Sequence, residues 1–290
     1  MTASAITAPA TPRRRRRSTL KWFTIACGVV LVVLTYFPIV FVLSNSLKTG
    51  ANISSSGVFA LFTQFDVHNY AQAWSGIDSS LLNTIIVAVA AIVIGVAAAV
   101  LGAYAFSQVN FRGKSVVFMA YVALLMIPWT LTIIPLFLMI KAFGFYGSWW
   151  ALILPYAASA QPLLVLLFRG FFEQIPAELL QSARLDGARE WQVLLKVVAP
   201  LTRPIILTGT ILMTINIWGD YLWPFIVLQD YRKYTISAGL QQFVSNMGIA
   251  GNGTGAVFAA YLITMLPLFI LVGISMRYFV AGITEGALKL

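Results

Sequence analysis

Apolar residues occur along this chain in six long runs, and polar and charged residues are largely confined to the segments between them. A helix needs roughly 20 apolar residues to cross the hydrocarbon core of a bilayer, and each run is long enough. Four runs contain no charged residue, the fifth contains Asp220, and the sixth contains Arg277 near its end. The pattern predicts an all-α polytopic membrane protein with six transmembrane helices, at residues 22–43, 81–107, 116–140, 149–168, 205–228 and 257–280.

The composition favours the same class of protein. Hydrophobic residues make up 60% of the chain and charged residues 10%, whereas an ordinary soluble domain has roughly 25% charged residues. A large soluble helical core is excluded, because no globular fold would leave six such runs with their polar residues confined to the connections.

The lysines and arginines indicate the orientation in the membrane. With the N-terminus in the cytoplasm, fifteen of the nineteen fall on the inner side. Only Lys48, Lys141, Arg232 and Lys233 fall outside. This bias predicts that both termini are cytoplasmic. The five arginines at 13–17 lie just before the first apolar run, so we assign them to contact with anionic lipid rather than to nucleic-acid binding.

No catalytic site is visible in the sequence. Cys27, the one cysteine, lies within the first apolar run, and His68, the one histidine, lies in an outer connection. No metal-ligand cluster, nucleophilic triad or phosphate-binding loop occurs. The first run is too long for a cleaved signal peptide. We expect residues 1–21 to form a disordered, basic cytoplasmic tail and residues 22–290 to form the membrane domain.

The connections between the runs are unequal. The predicted outer loops cover residues 44–80, 141–148 and 229–256, and the inner loops cover residues 108–115 and 169–204. The last inner loop, between the fourth and fifth predicted helices, therefore supplies most of the cytoplasmic surface. The outer stretch 245–256 is rich in glycine and small polar residues, which predicts a flexible tip.

The last inner loop carries the pattern of two short helices separated by a glycine. Pro176 suits the first helical position, and Glu178 lies in the first turn, where the helix dipole favours an anion. Gly187 offers a left-handed stop after Asp186. The second helix is predicted to present one apolar face, at Trp191, Leu194, Leu195 and Val198. It should end at Pro200, and the pair predicts a docking surface for a cytoplasmic partner.

Polar residues and prolines within the runs indicate a candidate pathway. Asp220 lies toward the outer end of the fifth run, and a carboxylate within a membrane span is a functional hypothesis by default. The alternative is an interfacial acid in a belt of aromatic residues. Asn216 and Trp218 lie deeper and are better placed to face a cavity. Prolines within the runs, clustered in the third and fourth, predict bent helices around a pathway; they are Pro38, Pro128, Pro135, Pro155, Pro162, Pro224 and Pro267.

From Trp22 to its C-terminus the chain resembles the permease subunits of binding-protein-dependent ABC importers, and among them the MalG-type sugar permeases. The signature of that family matches in the last inner loop at Ile175, Pro176, Glu178, Leu179, Ala183, Asp186, Gly187, Ala188 and Pro200. The segments NSLK, HNYAQAW, AYAFSQVNFRGK, DYLWP, YTISAGL and YFVAGITEGALK follow in the order and spacing of the family. This chain differs from the signature at its Glu-Ala-Ala triplet, where it has Gln181-Ser182-Ala183.

The resemblance implies a mechanism with partners. A second, MalF-like permease subunit completes the pore in the inner membrane, two cytoplasmic ATPase subunits bind ATP and Mg²⁺, and an extracytoplasmic protein delivers the solute. This chain then binds no cofactor and catalyses no reaction. The implied coupling helix spans 176–188, with contacts to the ATPase from Glu178, Leu179, Gln181, Ser182, Ala183, Asp186, Gly187 and Ala188. Asn246, Asn252 and Thr254 are implied to reach the binding protein.

Two alternatives to a sugar importer stay open at this stage. A glycerol-phosphate-type solute is served by similar permeases, but no lysine or arginine lies at mid-membrane to meet a phosphate, which favours a neutral sugar. A self-sufficient ion-coupled carrier belongs to a different class of transporter. Such a carrier should show ionisable residues at mid-membrane and internal repeats, whereas this chain has one off-centre aspartate and no clear repeat.

Overall fold

The computed structural model describes the backbone of residues 13–249 and 253–287 and the side chains of residues 21–247 and 253–274. Within these ranges the regular elements are all helical, which confirms the predicted all-α class. The α-helices are α1 (Arg13–Ser46), α2 (Gly50–Ser56), α3 (His68–Gln108), α4 (Lys114–Ala123), α5 (Trp129–Ala142), α6 (Trp150–Ser159), α7 (Gln161–Phe172), α8 (Ala177–Leu185), α9 (Glu190–Val193), α10 (Ala199–Leu201), α11 (Arg203–Gly219), α12 (Leu222–Val227), α13 (Ile236–Ile249) and α14 (Thr254–Ala287).

Three helical segments in the described part of the chain are long and apolar enough to cross a membrane: Lys21–Ser46 in α1, all of α3, and Thr254–Ile274 in α14. Three bent pairs also qualify if each pair is one span. Lys114–Met126 and α5 meet at 100°, α6 and α7 at 42°, and Glu190–Leu201 and α11 at 81°. The number of spans is therefore three to six. The bends that the prolines predict in the third and fourth apolar runs are confirmed.

Some predicted boundaries are wrong. Because α1 begins at Arg13, residues 13–21 are helical and not a disordered tail. The predicted single helix at 205–228 is broken, because α11 ends at Gly219 and α12 begins at Leu222. Residues 1–12 lie outside the described residues, and the division of the chain at residue 22 stays a prediction.

The first outer loop is shorter and more ordered than the predicted 44–80, because α2 forms within it and α3 begins at His68. Side chains of three residues hold its backbone. The amide of Asn45 donates to the carbonyl oxygen of Val58 at 2.9 Å, and that of Asn69 donates to the carbonyl oxygens of Ser46 and Lys48, each at 2.9 Å. Lys48 itself is fully buried, and its ammonium group donates to Asn45 Oδ1 at 3.2 Å.

Helix α3 lies at the centre of the fold and contacts α6, α7, α11, α13 and α14. It buries small residues at four-residue intervals, at Ala91, Gly95, Ala99 and Ala103. A Cβ atom at Gly95 would lie 2.8 Å from Cε of Met213, so the glycine permits the close approach of α11. Small residues at helix interfaces have this role in membranes, where lipid provides no hydrophobic contrast and association depends on close packing.

The third outer loop also contains a helix where the sequence predicts a flexible tip. Helix α13 extends to Ile249, so residues 245–249 are helical. The helix is fixed to α3 at its start: Thr84 Oγ1 accepts from the amide of Ile236 at 2.6 Å, and the Asn83 side chain donates to the carbonyl oxygen of Tyr234 at 3.0 Å. Residues 250–252 lie outside the described residues.

Candidate functional sites

Helix α8 and the glycine after it form much as the sequence predicts. The helix begins at Ala177 and not at Pro176, which is its N-cap with an extended ψ of 130°. Glu178 lies in the first turn. Gly187 has φ +82°, a conformation that costs other L-residues roughly 1–2 kcal/mol. The amide of Gly187 donates to the carbonyl oxygen of Arg184 at 3.0 Å, which closes the helix end.

The eight predicted coupling residues divide between two faces. Two of them, Ala183 and Ala188, pack against the core beside Leu180, a buried residue outside the predicted set with 3% of its surface exposed. The other predicted residues are exposed: Glu178, Leu179, Gln181, Ser182, Asp186 and Gly187. Leu185, which the sequence did not single out, is 88% exposed. Its spacing of seven from Glu178 and four from Gln181 places it on the same helix face.

A three-residue contact joins this loop to the C-terminal end of α3. Arg184 donates to Glu190 from Nε at 2.9 Å and from Nη2 at 3.2 Å. The hydroxyl of Tyr104, on α3, donates to Oε2 of the same carboxylate. The hydrogen bond to Glu190 raises the pKa of Arg184 above its ordinary value, so the guanidinium stays charged. No sequence pattern indicates this contact, because Arg184 and Glu190 meet only through the turn at Gly187.

The predicted apolar face of the second loop helix is partly wrong. Leu194 and Val198 are buried as predicted, but Trp191 is 55% exposed and Leu195 is 59% exposed. The segment Leu194–Val198 is a π-helix, so the burial here does not follow the 3.6-residue period, and Val193, which the predicted face omits, is fully buried. Pro200 does not end the helix either, because α10 continues to Leu201 and the bend comes at Thr202.

A cavity of about 560 Å³ lies between the bent helices. Asn216 and Asp220 line it, whereas Trp218 does not. The indole Nε1 of Trp218 donates to the carbonyl oxygen of Thr264 on α14 at 3.1 Å, and the side chain is 8% exposed. Trp218 therefore packs between helices, because its position two residues from Asn216 turns it to the other side of α11.

Asp220 uses both carboxylate oxygens within the protein. Oδ2 accepts from the hydroxyl of Tyr156 at 2.9 Å, and Oδ1 accepts from the backbone amide of Trp223 at 3.2 Å. The second bond satisfies one of the free amides in the first turn of α12. The aspartate thus holds the break between α11 and α12 while it borders the cavity.

The structure describes two of the three outer residues predicted to reach a binding protein. Asn246 is exposed on α13, where its Oδ1 accepts from Gln242 at 3.3 Å. Thr254 is half-buried at the start of α14. Asn252 lies outside the described residues.

Broken apolar helices around a cavity, together with an exposed helix on a connecting loop, are typical of membrane transport subunits. The family model of the binding-protein-dependent transport system inner membrane component matches residues 91–285. The chain belongs to this family. It is an inner-membrane permease subunit of an ABC-type transport system.

Individual relatives extend over nearly the whole chain. The probable ABC transporter permease protein YurM of Bacillus subtilis is 30% identical over 93% of this chain and 90% of its own length. The trehalose transport system permease protein SugB of Mycobacterium tuberculosis is 31% identical over 90% of this chain and 94% of its own. A solved bacterial ABC transporter that imports the acidic polysaccharide alginate is similar with a TM-score of 0.81 and 25% identity, over 94% of this chain and all of that one.

Proposed function

We propose that this chain forms one half of the translocation pathway of an ATP-driven sugar importer, opposite a second, MalF-like permease subunit. It crosses the inner membrane six times, with each bent helix pair as one span and both termini in the cytoplasm. The excess of lysine and arginine on one side supports that orientation. The cavity bordered by Asn216 and Asp220 then faces the pathway between the two subunits.

The coupling device is α8, docked on one of two cytoplasmic ATPase subunits that bind ATP and Mg²⁺. The observation that carries this proposal is the exposed face of α8. Glu178, Gln181, Ser182 and Leu185 share one side of the helix and lie away from the core, while Leu180 fixes the other side. A leucine with 88% of its surface exposed, set among polar side chains on a helix, suits insertion into a groove of a partner.

We infer that a solute-binding protein on the outer side delivers the sugar, and the family description, which names a binding-protein-dependent transport system, supports a partner of this kind. The end of α13 and the residues that follow, including Asn246, Asn252 and Thr254, are the proposed contact. The described trehalose and alginate transporters support a carbohydrate as the solute. A glycerol-phosphate-type solute is the alternative within the family, and an ion-coupled carrier is the alternative class.

Gly187→Trp tests the coupling role. Nothing lies within 4 Å of a Cβ atom at Gly187, so the bulk of the indole should obstruct the ATPase and not this chain. Gly113→Trp is the matched control, because Gly113 has φ +80°, equal open space and a position in the other inner loop. We expect Gly187→Trp to insert in the membrane but to lose ATP-driven uptake, with the ATPase subunits dissociated or hydrolysing ATP without transport.

The control variant carries the same backbone strain but lies outside the proposed docking surface. It should therefore retain most of the uptake. Parental uptake by Gly187→Trp in proteoliposomes would remove the coupling role of α8. Uptake that continues without ATP, and that a proton or sodium gradient drives, would favour the carrier.

A further inference from the structure

The cavity lies where three helix breaks meet, and residues at all three breaks line it. Leu125 and Trp129 flank the break before α5, Ser159 and Ala160 lie at the break between α6 and α7, and Gly219 and Asp220 lie at the break after α11. The first two breaks fall near the middle of their bent pairs. Broken helices that meet at the membrane midplane are the usual setting of solute sites in transporters.

One aromatic ring at the cavity is held in place by a second, buried ring. Trp129 is 37% exposed, and its ring meets that of Trp223 edge to face, with centroids 5.8 Å apart. Trp223 is fully enclosed, and its indole Nε1 donates to the carbonyl oxygen of Ala151 at 2.9 Å. Trp129 is therefore preoriented. An aromatic face carries partial negative charge, and the C–H bonds on one side of a pyranose ring carry partial positive charge, so the two surfaces suit each other.

The polar atoms at the cavity are mainly acceptors. The Asn216 amide nitrogen donates to the carbonyl oxygen of Leu212 at 3.0 Å, which leaves Oδ1 for a hydroxyl donor. The carboxylate of Asp220 accepts one hydrogen bond at each oxygen and has capacity for more. The hydroxyl of Ser159 completes the set. Sugar hydroxyl groups can donate to each of these atoms.

The charge at the cavity is negative. Among the described residues that line it, Asp220 is the one carboxylate, and no lysine, arginine or histidine is present. A carboxylate in a site of low dielectric repels another anion over several ångströms. An acidic sugar, a sulfonate or a phosphate ester would meet this charge with no cation to balance it.

We propose that this subunit itself contacts the transported solute, at a site that binds a neutral pyranose ring against Trp129 and repels anionic sugars through Asp220. The site rests on the proposed function as a sugar importer. The proposed solute is neutral, whereas the solved transporter of similar fold imports the acidic polysaccharide alginate.

The sign of the charge can be tested without knowing the sugar. In the assembled transporter, Cys27→Ser removes the only cysteine of this chain, and Ser159→Cys introduces a reporter at the cavity. The reporter is modified with a cationic trimethylammonium-ethyl or an anionic sulfonatoethyl methanethiosulfonate. The rate with the cationic reagent is divided by the rate with the anionic reagent. This ratio is compared with the ratio at Ser55→Cys, in the exposed helix α2.

We expect the cavity to raise this ratio about tenfold over the control position, because a nearby carboxylate attracts the cation and repels the anion. Asp220→Asn, which keeps a hydrogen-bonding oxygen for the start of α12, should return the ratio to the control value. A ratio at residue 159 equal to the control, or unchanged by Asp220→Asn, would overturn the anion exclusion.

Contact with the sugar is tested by uptake. Trp129→Ala should lower uptake about tenfold at limiting solute, since it removes the aromatic contact with the sugar, and Trp129→Phe should restore most of it. Trp150→Ala is the matched control, because Trp150 is 49% exposed and does not line the cavity. All variants should insert in the membrane and co-purify with the ATPase subunits.

Different results would contradict the solute site of this subunit and the proposed function as a sugar importer. If Trp129→Ala transports at the parental rate while uptake remains dependent on ATP, this subunit does not hold the sugar and the importer stands. If the unmodified transporter shows no ATP-driven sugar uptake, the proposed function itself is wrong, whatever the reporter ratio shows.

Discussion

Glu178 and Gln181 lie one turn apart on the exposed face of α8. Gln181 stands where the family signature has glutamate, so the charge on this face comes from Glu178, one turn earlier. Both side chains are exposed, so replacing either should disturb the fold of the loop little. Differences between variants at these sites should therefore report on docking.

We expect Glu178→Ala to weaken docking on the ATPase more than Gln181→Ala does. A hydrogen bond that involves a charged group is worth about 1.5–3 kcal/mol, against about 0.5–1.5 kcal/mol for a neutral one. Co-purification of the ATPase with each variant, over a series of salt concentrations, measures the order. A larger loss at Gln181, or a loss at Glu178 that does not depend on salt, would show that the charged contact is assigned to the wrong residue.

At the scale of elements, the inner loop is a braced unit and not a free surface helix. Leu180 attaches α8 to the core, and Glu190 ties Arg184, near the end of α8, to Tyr104 on α3. The two short helices are therefore attached to the C-terminal end of α3. A push on α8 from an ATPase would reach the membrane through this contact.

We expect Glu190→Gln to loosen the loop without unfolding the protein. The side chain is 57% exposed, so the loss of its charge should cost no more than about 1 kcal/mol. Hydrogen exchange across residues 177–201 should then quicken by about fivefold, and less solute should be transported for each ATP hydrolysed.

Glu173→Gln is the matched control for this variant. Glu173 pairs with Arg169 at 2.7 Å on the same side of the protein, but within a single turn and without contact to α3. Equal exchange rates and equal coupling in the two variants would show that the Tyr104–Glu190–Arg184 contact does not brace the loop.

At the scale of the whole molecule, α3 connects the inner and outer proposed docking surfaces. It has 41 residues and therefore a length on the order of 60 Å. Asn83 and Thr84 fix α13 to its outer half, and Tyr104 contacts the inner loop at its other end. Because α3 is rigid and is bonded to both segments, a movement of the inner loop can displace α13.

We expect replacement of residues 247–254 by a shorter Gly-Ser link to leave insertion and ATPase binding intact, because Asn83 and Thr84 still hold the start of α13 on α3. The change removes one contact with α3, the hydrogen bond of Gln72 to Met247 Sδ. Transport, and the stimulation of ATP hydrolysis by loaded binding protein, should fall. The replacement stops before Gly255, since a Cβ atom there would lie 2.0 Å from the carbonyl oxygen of Lys48.

A Gly-Ser replacement of residues 54–56, which are exposed in α2, is the control for this loop and should transport normally. Transport at the parental rate after the change at 247–254 would mean that the segment is only a connection.

The sequence by itself determined the all-helical class, the apolar runs and the helix–glycine pattern of the inner loop. These follow from local chemistry: the length of an apolar run must match the bilayer, and Gly187 can adopt φ +82° because it has no Cβ. The tertiary structure alone decided which side chains meet. Tyr104 reaches Glu190 across 86 residues, Trp129 and Asp220 share one cavity, and Trp218 turns toward α14. Such contacts depend on the rotation and breaks of packed helices, which no pattern along a single helix specifies.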